Sequence, residues 1–393
     1  MSSPDTPTVY LIAGEASGDA LGAGLMRALK VRTGGKLQFC GIGGPRMTSE
    51  GLKSLFPMED LAVMGLAEVL PRLPTLLRRI GEAQTDIEQK RPDVLVTIDS
   101  PDFCFRVARK VKAADPGLPI VHYVAPTVWA WRAGRDKKVA RFLNHILCLY
   151  PFEPPYFEAE GLSATFIGHP IAGKLQAPSS LEASAADFRA RHGIPDEAQV
   201  LAVLPGSRSG ELDRHLPVFG RTLEKLADGG WRGQVVLPTL ERHLDRLRQE
   251  TADWASRPII VPGEDEKWLA FAAADAALAA SGTVTLELAA AGVPSIVAYR
   301  VSALTAAIGR RMIKVDHVGL VNVLLKEEVM PEFLQDDCTP EQLAPALADL
   351  LESADKRGTQ KEKLRLAMEM LRAPDGDSDA AAAAVIAGYL KAS

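Results

Sequence analysis

Short, almost purely apolar runs alternate with amphipathic stretches along most of the chain. Thr8–Ala13, Leu37–Gly41, Val94–Ile98, Pro119–Val124, Asn144–Tyr150 and Thr165–Gly168 are such runs. They lack the in–out alternation of a half-exposed strand, so they predict strands buried on both faces of a parallel sheet. Helical patterns fill the gaps, among them one through about Lys30, a short one after Arg46 and one over Phe103–Ala114. A second series follows at Val200–Leu204, Gln234–Leu237, Pro258–Val261, Ala276–Ala279 and Pro294–Tyr299. Repeated strand–helix alternation predicts two doubly wound, Rossmann-like α/β domains that face each other across a cleft.

The expected boundaries follow from changes of character. Residues 1–170 form the first domain. Residues 171–196, with Pro178, Ser179, Ser180 and a run of alanines and charges, read as a hinge and linking helix. Residues 197–370 form the second domain. In the tail, 371–393, Asp375-Gly-Asp-Ser-Asp379 caps a last helix from Ala380 to Leu390 that packs back on a first domain. Its own chain or a neighbour in a homodimer can supply that surface.

Composition narrows the function classes. At 393 residues, 47% hydrophobic and 24% charged, the chain can bury a large core. A net charge of −5 gives no support to nucleic-acid binding. The first 175 residues carry 21 Lys and Arg against 18 acidic residues, and the rest carry 24 against 32. Cys40, Cys104, Cys148 and Cys338 show no CxxC spacing, so free thiols in a reducing cytoplasm are expected. Met1–Pro7 has no signal-peptide plan, and no run reaches the roughly 18 apolar residues of a membrane span. Leu61–Ile80 is the odd stretch: strongly apolar, interrupted by Pro71 and Pro74, and carrying Arg72, Arg78 and Arg79. It reads as a core helix or as a basic apolar surface for anionic lipid.

The chemistry gathers where strands end, which is where open α/β sheets bind ligands. Val94–Ile98 breaks at Asp99-Ser-Pro-Asp102 and places two carboxylates there. Gly14-Glu-Ala-Ser-Gly-Asp19 turns the first strand into a helix without spelling GxGxxG, so a dinucleotide site is not indicated. Glu15 and Ser17 are its cleft-facing candidates, with Ser17 or Asp19 alternatively capping the helix. Trp129 and Trp131 precede Arg132, Arg135, Lys137 and Lys138, a phosphate site or a solvated basic face. His122 and His169, at strand ends, are structural or alternative bases. Asp102 reads better as a helix cap than as a catalytic group.

In the second half, Leu204-Pro-Gly-Ser-Arg208 follows a strand. Gly206 lets the backbone approach a ligand beside Ser207, and Arg208 offers a fork for phosphate oxygens. Ala280-Ser-Gly-Thr283 opens a helix whose N-terminus, at Ser281, Gly282 and Thr283, suits a diphosphate. Glu287, one turn further on, can accept both hydroxyls of a ribose.

These segments together carry a resemblance. Gly14–Asp19 with Leu21-Gly-Ala-Gly24, Met64–Val69, Ile98–Phe103, His122–Arg132, Phe166-Ile-Gly-His-Pro170, Leu204–Arg208 and Ala280–Thr283 resemble the lipid-A-disaccharide synthase family, from about Val9 to past Asn322. The resemblance implies the two-domain glycosyltransferase-B fold. It implies transfer of a diacylated glucosamine from UDP to diacylglucosamine 1-phosphate at the cytoplasmic face of the inner membrane. It maps the family's catalytic aspartate onto Asp99, its UDP-binding arginine onto Arg208, its ribose-binding glutamate onto Glu287 and a nucleotide-side asparagine onto Asn322. No Asp-x-Asp motif sits beside the diphosphate site, so no metal or other cofactor is expected. Leu61–Ile80 then reads as an acyl-chain or membrane surface, to which Ala303–Lys314, with Arg310 and Arg311, would add. UDP-sugar 2-epimerases and a muramyl-peptide glycosyltransferase share such paired sheets. They are not expected to combine Asp99-Ser-Pro-Asp102 with the Trp129–Trp131 segment. A non-catalytic sugar or nucleotide binder is the remaining rival.

Overall fold

The computed structural model describes residues 6–61, 66–129, 134–175, 178–302 and 317–390. The chain divides into two compact units, Met1–Pro170 with Leu371–Ser393, and Ile171–Met370. The first contains β1 (Thr8–Ala13), α1 (Ala16–Thr33), β2 (Gln38–Ile42), α2 (Pro45–Ser49), α3 (Leu66–Lys90), β3 (Val94–Ile98) and α4 (Pro101–Ala114). It continues with β4 (Ile120–Tyr123), α5 (Arg135–Val139), β5 (His145–Cys148), α6 (Pro154–Glu158) and β6 (Ser163–Phe166). All neighbouring strands are parallel, in the order β2-β1-β3-β4-β5-β6.

Both faces of this sheet are covered, which is why its central strands are continuously apolar. Tyr10, Ile12, Leu95, Ile120 and Ile146 meet α3 and α4 on one face. Val9, Leu11, Val94, Val96 and Val121 meet α1 and the tail on the other. Full burial of each such side chain contributes about 1.5–3 kcal/mol.

The second unit runs α7 (Pro178–His192), β7 (Val200–Leu204), α8 (Ser209–Asp228), β8 (Gln234–Thr239), α9 (Leu244–Glu250), β9 (Ile259–Pro262) and α10 (Glu264–Ala273). It goes on through β10 (Ala276–Ala279), α11 (Val284–Ala290), β11 (Ser295–Tyr299), α12 (Leu320–Leu325), β12 (Glu332–Leu334), α13 (Pro340–Glu352) and α14 (Ala354–Met370). Its parallel order is β12-β11-β10-β7-β8-β9. The stretch read as a linking helix is α7, which packs along α10 inside this unit. Strand β12 escapes the apolar pattern because it is an edge strand of three residues that begins with Glu332.

The chain then returns to the first unit as α15 (Ser378–Ala387), which lies on α1. Within the segment Asp375–Asp379 it is Asp377 that caps the helix, accepting the amides of Asp379 and Ala380. Tyr389 bonds His145 Nδ1 at 3.1 Å. All four cysteines are free. Among the described residues no helix is long and apolar enough to cross a membrane.

Buried histidines make this fold sensitive to acid. Burial, with Arg135 adding, pushes His122 down to about 3, and burial pushes His169 to about 4. Burial also lowers His145 and His215. Each is neutral when folded and takes up a proton on unfolding. Each contribution is therefore complete above about pH 6.5 and is lost as pH falls below it, at about 1.4 kcal/mol per pH unit for His122 and for His169. Glu153 has the opposite sign: burial raises it to about 7, so its contribution is lost as pH rises towards 7. Urea midpoints should climb between about pH 4.5 and 6.5 and stop rising above about pH 7. A flat profile over pH 5–6.5 would contradict this account.

Candidate active site

At the carboxyl edge of the first sheet, β1 and β3 lie side by side, with Ala13 opposite Ile98. The turns that follow touch. A Cβ on Gly14 would stand 2.6 Å from Ser100 Oγ, so only glycine permits the approach. Asp99 sits in this turn with φ 53°, followed by Ser100 at 41°, and Val124 beyond β4 has φ 80°. Left-handed backbone at non-glycine residues costs about 1–3 kcal/mol each, and such strain collects at functional sites. The Asp99 amide donates to the Tyr123 carbonyl at 2.9 Å. Its Oδ1 accepts the Ser100 amide at 2.9 Å and its Oδ2 accepts the Ser17 hydroxyl at 2.9 Å. The carboxylate is thus half-buried and aimed, and each oxygen keeps a second lone pair. Glu15 is half-buried at the start of α1.

Several predicted residues of this edge turn out to do other work. Asp19 does not cap α1: its buried carboxylate accepts the Gly44, Arg46 and Met47 amides at 2.8–3.0 Å and so caps α2. Asp102 caps nothing, since α4 begins without a side-chain cap. It projects 86% exposed and pairs with Arg135 at 3.7 Å. His122 is fully buried, bonded through Nδ1 to Thr97 Oγ1 at 2.8 Å and tilted against Phe105. A substrate cannot reach it there, which removes it as an alternative base.

His169 lies at the far strand end, where its amide donates to the Leu371 carbonyl at 2.8 Å and its ring meets Tyr150. Trp129 stands edge-on to Tyr150 and Phe152 and donates Nε1 to Glu153 at 3.2 Å. Trp131, Arg132 and Ala303–Lys314 lie outside the described residues, as do residues 62–65 of the apolar basic stretch. Further along that stretch, α3 buries Ile80 and leaves Leu73 and Leu77 exposed.

The second sheet presents its own edge. Gly206 has φ 123°, and a Cβ there would come within 2.6 Å of Glu211. Buried Glu211 builds the loop: Oε2 accepts the Ser207 and Arg208 amides at 3.0 and 3.2 Å. Its Oε1 meets Arg208 at 3.1 Å and the Tyr299 hydroxyl at 3.3 Å. Buried His215 donates Nδ1 to the Pro205 carbonyl at 2.6 Å and accepts the Arg300 amide on Nε2 at 2.9 Å. Those partners fix the neutral tautomer and tie the loop after β7 to the end of β11. Sequence reasoning assigned neither residue a role. The spacing of Arg208 to Glu211 is that of a capping box and was the available signal; His215 had none.

The guanidinium of Arg208 is 58% exposed. Ser281 is half-buried, and Gly282 and Thr283 are exposed ahead of α11. The helix start carries no side-chain cap, and Thr285 Oγ1 instead bonds the Gly282 carbonyl at 2.8 Å. Glu287 accepts Lys267 on Oε1 at 2.9 Å. Asn322 departs from the sequence reading. It is fully buried, its Oδ1 accepts the Val329 and Met330 amides, and its Nδ2 donates to the Met330 carbonyl and to Glu332. Every polar position of that amide is used, so it latches a loop and has nothing left for a nucleotide. Among the described residues no group of three or more His, Cys, Asp or Glu is placed to hold a metal ion.

A family model described as lipid-A-disaccharide synthetase matches residues 9–386. The lipid-A-disaccharide synthase of Rhodospirillum centenum is 51% identical over 353 residues, covering 90% of this chain and 87% of that one. The protein of the same name from Granulibacter bethesdensis is 44% identical over 391 residues, covering 97% and 98%. Among solved structures, UDP-GlcNAc 2-epimerase from Neisseria meningitidis bound to UDP-GlcNAc aligns with TM-score 0.60 at 11% identity, covering 97% and 98%. MurG from Acinetobacter baumannii aligns at 0.54 and 15% identity, covering 92% and 95%. The two structures show that the fold is of the glycosyltransferase-B class.

Proposed function

This chain belongs to the lipid-A-disaccharide synthase family, and from that premise we propose that it transfers 2,3-diacylglucosamine from UDP to the 6-hydroxyl of 2,3-diacylglucosamine 1-phosphate. The products are the β-1,6-linked disaccharide 1-phosphate and UDP. The observation that carries this reading is the Asp99 carboxylate, aimed by Ser17 and the Ser100 amide in a left-handed turn at a strand end.

Asp99 takes the proton of the acceptor hydroxyl as that oxygen bonds to the anomeric carbon. The bond from that carbon to the diphosphate breaks on the opposite face, so the configuration inverts. The electron pair leaves with UDP, where Arg208 and the uncapped amides at Gly282 and Thr283 receive the charge. Glu287 holds the ribose. Arg208 then does the work that a metal ion does in other transferases, and no cofactor is needed. Exposed Leu73 and Leu77, with Arg78 beside them, form the part of α3 that meets the anionic cytoplasmic face of the inner membrane.

UDP release measured with both lipid substrates tests the proposal. Release that requires the acceptor is the expected result. Release or epimerisation without it would favour the 2-epimerase reading, and UDP binding without turnover would favour a binding protein.

A further inference from the structure

Glu287 is not alone on the second unit's edge. Lys267, on α10, places its ammonium 2.9 Å from Glu287 Oε1 and 2.9 Å from Glu264 Oε2. Glu264 is anchored in turn, with Oε1 accepting Trp268 Nε1 and Lys174 Nζ, each at 3.1 Å. The Trp268 ring lies beneath both ammonium groups, at 4.7 Å from Lys174 and 5.9 Å from Lys267. The Lys267 side chain is only 17% exposed. Glu287 Oε2, by contrast, takes no hydrogen bond from the described residues.

A long lysine side chain loses rotamer freedom when it is held between two carboxylates, and isolated pairs near a surface return little stability. The result here is geometric. One oxygen of Glu287 is occupied by a fixed cation, and the other is left to accept. Vicinal hydroxyls need a carboxylate that is ionised and fixed in one rotamer. We propose that Lys267 is a positioning residue that presents Glu287 Oε2 to the ribose hydroxyls of the UDP-sugar. This rests on the reading of Glu287 as the ribose-binding group.

Titration calorimetry with UDP and with 2′-deoxy-UDP tests it on the full chain. The wild type should prefer UDP by at least about 10-fold, because a site built for a hydroxyl rejects the analogue that lacks it. Lys267→Met keeps the aliphatic stem and removes the charge. It should bring that ratio to within about 3-fold of unity, as Glu287→Gln should, almost wholly through weaker UDP binding. Lys267→Arg should restore most of the preference. The variant's kcat at saturating donor should change less than about 3-fold, because the ribose is remote from the reacting carbon. Should Lys267→Met not fold, Lys267→Gln, with a donor and similar volume, is measured in its place. A folded variant that keeps the wild-type ratio overturns the role of Lys267 and leaves Glu287 in place. A wild type that binds both ligands equally overturns the Glu287 reading, and the inference with it.

Discussion

Asp99→Asn should lower kcat for acceptor-dependent UDP release at least about 100-fold, while UDP affinity stays within about 3-fold of wild type. A positioned general base contributes about 10²–10⁴-fold, or roughly 3–5 kcal/mol of the barrier. Asparagine is the informative replacement. Residue 99 has φ 53°, a conformation that asparagine tolerates and alanine does not. Its carbonyl oxygen can still accept the Ser100 amide, and the Ser17 hydroxyl can turn to accept its NH2. The turn therefore survives and only the proton acceptor is lost. Asp99→Ala would combine that loss with backbone strain and should melt earlier as well. A fall of less than about 10-fold in a folded Asp99→Asn would move the base elsewhere. His122 cannot inherit the role from inside the core, so His169→Ala would be measured next.

How far this edge was legible depended on what each residue's environment writes into the pattern. Val9–Ala13 and Val94–Ile98 are fully buried, with Thr97 a buried polar residue among them, so their apolar runs named the central strands. The ends of Val94–Ile98 and of Val200–Leu204 then named Asp99 and Arg208, because a parallel sheet offers ligands its carboxyl edge. Pairings across the fold were not legible. Nothing near Asp19 in the chain announces that it caps a helix more than two dozen residues on, or that Asp102 faces Arg135. Asn322 shows the same limit from the other side. Its place in a motif invites a ligand, while its four hydrogen bonds assign it to residues 329–332. Lys267 was invisible for the same reason, because its contact with Glu287 joins two helices twenty residues apart, whereas Glu211, three residues after Arg208, left a local signal in its capping-box spacing.

Arg208→Ala should lower kcat/KM for the UDP-sugar by about 10²–10³-fold, the loss seen when one donor to a developing oxyanion is removed. At about 4 Å, and with an effective dielectric of about 20, a guanidinium attracts a unit of phosphate charge by about 4 kcal/mol. That attraction grows as the glycosidic bond breaks and charge collects on the diphosphate, so kcat should fall along with UDP affinity. The loop itself should persist without the guanidinium. Glu211 still accepts the Ser207 and residue 208 amides, and His215 still holds the Pro205 carbonyl. Near-wild-type thermal stability is therefore expected and separates lost charge from lost structure. Arg208→Lys should recover only part of the activity, since an ammonium cannot span two phosphate oxygens as a planar fork does. A loss below about 5-fold would show that another cation neutralises the leaving group. Arg242, whose guanidinium donates to the Ser207 carbonyl at 2.9 Å, already sits on the same loop and would be the one to replace next.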